Sequence, residues 1–332
     1  MIVLGIETSC DETAAAVVID GRKCLSSIVS SQIEVHHRYG GVVPELASRK
    51  HLEAIVPVVR QALQTAGMDL NRIEAIAATQ GPGLVGALLV GFSYAKACAH
   101  ALRIPWVGVD HLEAHINSVF LEPSFPPFPF VALLASGGHT SIYHVTSHTE
   151  MRPMGRTRDD AAGEAYDKVA KLLDLGYPGG RVIDSLAERG DPKKIKFPRA
   201  YIDRESFDFS FSGIKTAVSR YVQAHPQTYR DEIPDIAAGF QEAVVDVLTH
   251  KLFHAAARTG CNHIALVGGV AANRRLRTRV RRKALRDGLE VHIPAIELCG
   301  DNAAMIAAAG YHHLAAGKRS RLSDDVYSRQ RG

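Results

Sequence analysis

The sequence contains few cysteines, and no two of them are spaced as a Cys-x-x-Cys pair. Its five cysteines are odd in number and widely separated, which is typical of reduced thiols in a cytoplasm. This pattern excludes a disulfide framework and a thiolate zinc site. Any bound metal must therefore use histidine and carboxylate ligands.

Long hydrophobic segments are also missing. The most apolar run, residues 84–95, stops at Lys96 and is shorter than the roughly 20 residues that a membrane helix needs. The N-terminus has no basic segment and reaches Glu7 before a signal-peptide core could form. We therefore expect a cytoplasmic protein with no membrane partner.

The net charge is small, and the P-loop motif is absent. A formal charge of +4 does not by itself indicate a polyanionic partner. The sequence has no G-x-x-x-x-G-K run followed by Ser or Thr, which excludes a P-loop. Residues 81–86 match the short G-x-G-x-x-G pattern, but this match alone does not establish a Rossmann cofactor site.

The composition that remains is that of an ordinary folded protein. Hydrophobic residues make up 46% of the 332 residues and charged residues 22%. Since a domain typically holds roughly 100 to 200 residues, we expect about two domains, each with its own core.

Two stretches of the chain follow the same order of predicted elements. Each opens with two apolar strands around a polar turn, and later has a strand, a glycine-rich turn, a helix and another strand. The first copy comprises strands 2–6, 14–19 and 73–78, helix 84–102 and strand 106–109. The second comprises strands 130–134, 141–145 and 264–267, helix 273–286 and strand 291–293. This repeat predicts two duplicated α/β lobes with the functional site in the cleft between them.

A proline-rich segment at 122–129 interrupts regular structure near the predicted boundary of the lobes. We expect an N-terminal lobe over 1–108, which a C-terminal helix at 317–332 could join. The C-terminal lobe would run over 109–316 and carry an insertion at about 150–235.

One histidine pair has the spacing and the context of a metal site. His111 and His115 lie four residues apart directly after the apolar strand 106–109, so a helix would place both imidazoles on one face. Two other pairs share this spacing: His144 with His148, and His250 with His254. His111 and His115 differ in following the C-terminal end of a strand, where open α/β sheets bind ligands. Metal ligation and a structural role both remain open at this stage.

A third ligand could come from Asp301. Two histidines and one carboxylate would favour iron, zinc or manganese and leave positions for substrate. Asp301 also precedes an alanine-rich helix, so it could instead cap that helix.

Two short glycine loops could approach a phosphate. Residues 136–138 and 268–269 follow predicted strands in equivalent places of the two lobes. Glycine has no Cβ, so its backbone N–H groups can come close to an anion. Each loop could equally be a tight turn, but the repetition favours a nucleotide cleft.

Several long motifs, taken in order along nearly the whole chain, resemble the bacterial TsaD type of tRNA threonylcarbamoyladenosine transferase. They are residues 5–13, 40–49, 111–115, 136–140, 268–273 and 299–302. The resemblance implies the actin and sugar-kinase superfold, in which two duplicated ribonuclease-H-like lobes surround a nucleotide cleft. It also implies transfer of threonylcarbamoyl from threonylcarbamoyl-adenylate to N6 of the adenosine 3′-adjacent to the anticodon, in tRNAs that read codons starting with A.

The resemblance also assigns site residues. His111, His115 and Asp301 would bind one divalent metal, usually iron, with zinc as the alternative. The substrate site would be lined by Leu134, Ala135, Ser136, Gly137, Gly138, Asp167, Gly180, Asp184 and Asn273. Asp11 and Glu12 are candidates for proton transfer or positioning, although exposed turn carboxylates are the commoner case.

Partners are implied in the same way. We expect a paralogous subunit of the TsaB type and a small ATPase of the TsaE type, with the apolar helix 84–102 as a dimer face or else a core helix. For tRNA, the arginine-rich helix 273–286 is the first candidate, and the cluster Lys193, Lys194, Lys196 and Arg199 competes with it.

Two other functions compete with this one. A metallopeptidase would also use paired histidines, but its His-Glu-x-x-His motif places the glutamate one residue after the first histidine, whereas Glu113 is two after. A non-catalytic nucleotide-binding scaffold of the actin superfold would keep the glycine loops and have no need of His111 and His115.

Overall fold

A computed structural model describes residues 1–199, 201 and 205–329, which form two five-stranded sheets with helices. The strands are β1 (Ile2–Glu7), β2 (Glu12–Ile19), β3 (Lys23–Ser31), β4 (Ala75–Gly81), β5 (Trp106–Asp110), β6 (Phe130–Ala135), β7 (Thr140–Ser147), β8 (Glu150–Arg156), β9 (His263–Val267) and β10 (Glu290–His292). The helices are α1 (Ile33–His37), α2 (Pro44–Thr65), α3 (Val85–Leu102), α4 (His111–Asn117), α5 (Ala162–Leu172), α6 (Gly179–Ala187), α7 (Ser212–Ala224), α8 (Ile233–Thr259), α9 (Arg274–Asp287), α10 (Ile296–Cys299) and α11 (Ala303–Ala315).

The chain divides into two compact units. Unit 1 contains Met1–Phe125 and Gly300–Gly332, and unit 2 contains Pro126–Cys299. These bounds differ from those of the lobes expected from the sequence, 1–108 and 109–316. The expected lobes remain a prediction. Residues 109–125 belong to unit 1 because α4 continues directly from β5, and 303–315 belong to it because α11 packs on β1.

The two sheets have the same topology, which supports the predicted duplication. The strand order is β3-β2-β1-β4-β5 in unit 1, and the corresponding order β8-β7-β6-β9-β10 holds in unit 2. In each unit the first strand pairs antiparallel with the second and parallel with the fourth. The mixed sheets with crossover helices confirm the α/β class.

The centre of the unit 1 sheet is covered on both faces, which explains why β1, β2 and β4 are buried almost throughout. Leu4 and Ile6 of β1 belong to a core cluster with α2 and α3. Gly5 points the other way, because side chains alternate along a strand, and it lies against α11. A Cβ at Gly5 would lie 2.2 Å from the carbonyl oxygen of Ala303, so only glycine lets α11 pack this closely.

Among the described residues, α3 is the one helix long and apolar enough by composition to cross a membrane. Leu88, Phe92 and Ala95 are buried on one face, and Phe92 packs edge-on against Trp106 at a ring distance of 5.0 Å. A core helix meets the same criteria, and these contacts are those of a core helix.

The segment expected as an insertion contains only some of the helices of unit 2. Strand β8 and helices α5, α6 and α7 lie within 150–235, and α8 begins at its end. Tyr166 of α5 packs edge-on against Phe240 of α8 in the core cluster of this unit. The insertion therefore contributes to the core of unit 2.

The expected C-terminal helix at 317–332 is wrong for the described part of that segment. Residues 317–329 contain no helix, and 330–332 lie outside the described residues. The backbone instead bonds to unit 1: Ser320 N donates to Trp106 O at 3.0 Å, and Tyr327 N donates to Gln80 O at 3.0 Å. We call residues 318–327 the C-terminal strap. The strap has no apolar stripe of helical period, so a helix here would have no apolar face to bury. Its backbone hydrogen bonds to unit 1 therefore stabilise it better than a helix would.

Candidate functional site

Helix α4 presents two buried histidines on one face, as their spacing predicts. Its N-cap is Asp110, the last residue of β5, whose Oδ1 accepts from Leu112 N at 2.9 Å and Glu113 N at 3.2 Å. The imidazoles of His111 and His115 meet edge to face with ring centres 4.7 Å apart. Strand, cap and helix thus place both rings at the C-terminal edge of the sheet.

Asp301 lies against both rings. Its Oδ1 is 3.1 Å from His115 Nε2 and 3.5 Å from His111 Nε2. The alternative role as helix cap is wrong for this residue, because Asn302 caps α11 by accepting from Met305 N at 3.0 Å. The Asp301 carboxylate is therefore not engaged as a helix cap and faces the histidines.

Sequence reasoning missed Glu7, whose carboxylate orients the His111 ring by contacting its Nδ1 atom. Glu7 is fully buried, and its Oε2 lies 3.0 Å from His111 Nδ1 and accepts from Thr79 Oγ1 at 2.6 Å. A carboxylate on the second ring nitrogen fixes the tautomer and leaves Nε2 for a metal. The available signal was an acidic residue at the end of an otherwise apolar strand.

The group favours a positive charge at its centre. Burial alone would lower the pKa of His111, but the Asp301 and Glu7 carboxylates outweigh it and raise the pKa to about 9. Burial would likewise raise the pKa of Glu7, yet His111 holds it below its ordinary value. Because His111 must lose its proton to bind a metal, a metal here replaces that proton.

The donor set and spacing of this group fit a transition metal. The three ligand atoms lie within 4.8 Å of one another. Ligand bonds of about 2.0–2.1 Å in a tetrahedral site place neighbouring ligand atoms about 3.3 Å apart, close to the distances from Asp301 to the histidines. Within the part of the chain that the structure describes, Nδ1 of His115 is buried with no hydrogen-bond partner.

A second group of potential ligands lies in unit 2. His263 Nδ1 is 3.4 Å from His292 Nε2 and 3.7 Å from Glu290 Oε2. The Glu290 side chain is 73% exposed, whereas that of Asp301 is 21% exposed. An exposed carboxylate stays hydrated and gains little from a metal, so the His111 group is the stronger candidate.

The acidic residues of the first turn lie near Asp301 and are less exposed than expected. Asp11 is buried and Glu12 partly buried, with Glu12 Oε1 accepting from Ser31 Oγ at 3.3 Å. Burial, followed by the charges of Asp11 and Asp301, raises the pKa of Glu12 to about 10. This shift favours the protonated form of Glu12, which can donate a hydrogen bond, and a nearby cation would lower the pKa.

In unit 2, the first glycine loop connects β6 to β7. Ser136 N donates to His139 O at 2.7 Å, and His139 N donates to Ser136 Oγ at 3.1 Å. These bonds close a tight turn. Gly137 and Gly138 at its tip have open space where a Cβ would stand, so an anion could approach their backbone.

The predicted acids of unit 2 also join loops and helix starts. Asp167 Oδ1 accepts from Gly179 N at 2.8 Å, which fixes the residue beside Gly180 at the start of α6. Asp184 accepts from Asn273 Nδ2 at 3.1 Å and from Arg274 Nε at 2.8 Å. Helix α6 and the start of α9 are therefore joined through side chains.

Asn273 is the centre of this second network. Its Oδ1 caps α9 by accepting from Leu276 N at 2.9 Å, and its Nδ2 also donates to Gln241 Oε1 at 2.7 Å. Sequence reasoning missed Gln241, a buried polar residue in the apolar helix α8. Leu134 and Ala135 end β6 beside the 136–138 loop, with their side chains buried.

The structure thus brings the predicted residues together in two groups. Unit 1 holds His111, His115, Asp301, Asp11 and Glu12, with Glu7 added. Unit 2 joins Asp184 to Asn273, and Asp167 fixes the turn next to Gly180.

Comparisons with known proteins agree on the family. The family model described as TsaD, tRNA N6-adenosine threonylcarbamoyltransferase, matches residues 23–308. A protein of that name from Desulforapulum autotrophicum is 60% identical over 331 residues and covers 100% of this chain and 99% of its own. Another from Desulfotalea psychrophila is 55% identical over 333 residues, with coverages of 99% and 97%.

Solved structures of low identity support the fold alone. The component A of (R)-2-hydroxyglutaryl-CoA dehydratase from Acidaminococcus fermentans has a TM-score of 0.55 at 18% identity, covering 95% of this chain and 99% of its own. Full-length HypF in its phosphate- and nucleotide-bound form has a TM-score of 0.62 at 16% identity, covering 98% of this chain and 56% of its own. Both have actin-type folds, as the resemblance implied. With the family model and near full-length relatives in agreement, this chain belongs to the TsaD family of tRNA N6-adenosine threonylcarbamoyltransferases.

Proposed function

We propose that the protein transfers the threonylcarbamoyl group from threonylcarbamoyl-adenylate to N6 of the adenosine 3′-adjacent to the anticodon, in tRNAs that read codons starting with A. Membership of the family supports the reaction. The buried group of His111, His115 and Asp301, with Glu7 behind it, is the observation that carries this function at the level of the site.

The chemistry needs positioning and charge stabilisation more than a protein nucleophile. N6 of the adenosine attacks the carbonyl carbon, the bond from that carbon to the phosphate oxygen breaks, AMP leaves, and N6 loses a proton. His111, His115 and Asp301 would hold one divalent metal, Fe²⁺ with Zn²⁺ as the alternative, which supplies a Lewis acid when bound. Glu7 keeps the His111 tautomer that this requires.

The residues of unit 2 would bind the adenylate. The backbone N–H groups of Gly137 and Gly138 can donate to its phosphate, and Ser136 holds that turn. Asp167 and Asp184 can accept from ribose hydroxyls, because each oxygen of an ionised carboxylate has two acceptor lone pairs. Leu134, Ala135, Gly180 and Asn273 would complete the substrate site.

Asp11 would receive the proton of N6, and Glu12 would position the substrate. Asp11 is buried, and the protonated form of Glu12 that its surroundings favour can donate to a substrate oxygen. Their closeness to Asp301 supports this assignment, since Asp301 contributes to the pKa of Glu12.

A labelling experiment tests the reaction. Purified protein, with its proposed partners, is incubated with labelled threonylcarbamoyl-adenylate and unmodified tRNA, and label in the tRNA is measured. We expect incorporation at the adenosine 3′ of the anticodon and stoichiometric AMP. Label release without incorporation into tRNA would contradict the proposal. Cleavage of a protein substrate in a parallel assay would favour the metallopeptidase, and the absence of both activities would favour the scaffold.

The geometry also disfavours the metallopeptidase. A zinc peptidase needs a glutamate beside the metal-bound water. Glu113 instead lies 3.1 Å from His313 Nε2 of α11, so its carboxylate is engaged in a structural pair.

We also propose that the protein acts in the cytoplasm with a TsaB-type subunit and a TsaE-type ATPase. The face of α2 and α3 supports a protein partner, because four large apolar side chains on it are exposed. They are Leu52, Val56, Val85 and Leu89. Such residues are expected at the centre of an interface.

A charge on this face should abolish assembly. For Leu89→Glu we expect loss of binding to the TsaB-type subunit and of multiple-turnover transfer, since a charge would be buried in the complex. Analytical ultracentrifugation of the mixed subunits measures it, with Leu285→Glu on the exposed face of α9 as control. Full assembly with Leu89→Glu would exclude this face, and many rapid turnovers by the isolated chain would exclude the partner requirement.

The arginine-rich helix α9 is more neutralised than its sequence suggests. Arg274, Arg275 and Arg279 form ion pairs with acids of α6 and α8. Lys283 and Arg286 pair with Asp287. Among the described residues no ion pair is found for Arg281 and Arg282, both exposed, which makes them the first candidates for tRNA contact.

Salt dependence tests this contact. If Arg281 and Arg282 each bind a phosphate, the Arg281→Gln, Arg282→Gln variant should bind tRNA more weakly and with a log–log salt slope lower by about one per contact. Fluorescence titrations at several salt concentrations give the slope. The Lys193→Gln, Lys196→Gln variant is the matched comparison, since both lysines are exposed in the competing cluster. A lower slope only in the lysine variant would place the tRNA on that cluster.

A further inference from the structure

We propose that the C-terminal strap is a positioning element for the candidate metal site, acting through the hydroxyl group of Tyr327 on the Asp110 cap of α4. This inference rests on the proposed function for the role of the metal. Its structural basis is a set of hydrogen bonds within unit 1.

Asp110 uses both carboxylate oxygens. Oδ1 accepts from the amides of Leu112 and Glu113 at the start of α4, and Oδ2 accepts from the Tyr327 hydroxyl at 2.8 Å. The cap residue is therefore held between the helix that carries the histidines and the strap.

Helix α4 depends on such a cap because it is short. It has seven residues, and a helix of this length is marginal without capping and tertiary contacts. His111 is its first residue, directly after Asp110. A rotation of the Asp110 carboxylate would therefore change the first turn, which sets the direction of the His111 ring.

Two further hydrogen bonds hold this end of the strap against β4. Tyr327 N donates to Gln80 O, and Gln80 Nε2 donates back to Asp325 O at 2.8 Å. A Cβ at Gly81 would lie 2.2 Å from Tyr327 O, so glycine at this position lets the strap lie directly on the end of β4.

The strap also covers an open sheet edge. Strand β5 is an edge strand of its sheet, and Ser320 bonds to it through both its backbone and its side chain. Ser320 N donates to Trp106 O, and Ser320 Oγ accepts from Gly108 N at 2.9 Å. Because β5 leads straight into Asp110, the strap follows the path of the chain that delivers the histidines.

Tyr327→Phe tests the inference by removing one hydroxyl group and keeping the ring. We expect Zn²⁺ to bind the full-length variant about 3- to 10-fold more weakly, below the effect typical of a direct partner of a metal ligand. Chelator competition measures the affinity. We also expect faster hydrogen exchange at the amides of Leu112 and Glu113.

Tyr221→Phe is the matched control, because its hydroxyl donates to Glu232 at the same 2.8 Å in unit 2. Its Zn²⁺ affinity should equal that of the unmodified chain. Unchanged Zn²⁺ affinity and unchanged exchange in Tyr327→Phe would overturn the inference.

A double-mutant cycle with Asp110→Ala separates positioning from general stabilisation. If the hydroxyl acts through the cap, Tyr327→Phe should have no further effect on Zn²⁺ affinity in the Asp110→Ala background. An equal effect in both backgrounds would overturn the role of the cap. Failure of the proposed metal site is distinguishable, since the His111→Ala, His115→Ala variant would then still bind Zn²⁺ fully.

Discussion

Replacing His111 and His115 together by alanine is expected to remove the bound metal and to lower threonylcarbamoyl transfer by more than roughly 100-fold. The reason is that two of the three potential ligands are lost, and Asp301 alone cannot hold a transition metal against water. Elemental analysis of the purified variant and the tRNA labelling assay measure the two losses.

The chain offers a control with the same spacing. His250 and His254 lie four residues apart on α8, with parallel rings 6.2 Å apart. Their double alanine variant should keep metal and activity. Full metal content in the His111→Ala, His115→Ala variant would contradict the assignment, whatever its activity.

Gly5→Ala is expected to destabilise unit 1 by roughly 1–3 kcal/mol or more, because the new Cβ would overlap backbone that cannot move alone. It would meet the carbonyl oxygen of Ala303 at 2.2 Å and Cβ of Ala307 at 2.9 Å. Relief requires α11 to shift, and Asp301 lies two residues before this helix. Metal affinity should therefore fall together with the midpoint of thermal unfolding.

The matched substitution is Gly213→Ala. Gly213 lies in α7 and has open space where a Cβ would stand, so alanine should leave stability unchanged or raise it slightly. Calorimetry of both variants gives the comparison. A Gly5→Ala variant as stable as the unmodified chain would show that α11 does not pack on β1 as described.

Much of the fold could be predicted because its signals are local. Apolar runs indicated four of the five strands in each sheet but not β3 and β8, and the repeated order of elements indicated the duplication. The helical spacing of His111 and His115 likewise needs only neighbouring residues. The C-terminal strap could not be predicted, because its bonds run to β4 and β5, more than 200 positions away.

The rest of the site depends on contacts that sequence order hides. Asp301 is 186 positions from His115, and Glu7 is 104 positions from His111. The residues alone left Asp301 between a ligand and a helix cap, and the family resemblance favoured the ligand. Glu7 was assigned to a polar turn. The arginines of α9 show the same limit, since the acids that neutralise them come from α6 and α8.

Unit 1 is discontinuous, and this sets an order for the synthesis of the protein. The ribosome completes Pro126–Cys299 as one uninterrupted stretch, so unit 2 can fold while the chain is still growing. Helix α11, which packs on β1, and Asp301, which contacts the histidines of α4, are made only after unit 2. A nascent chain halted before residue 300 therefore contains the residues proposed to bind the adenylate but lacks the carboxylate of the proposed metal site.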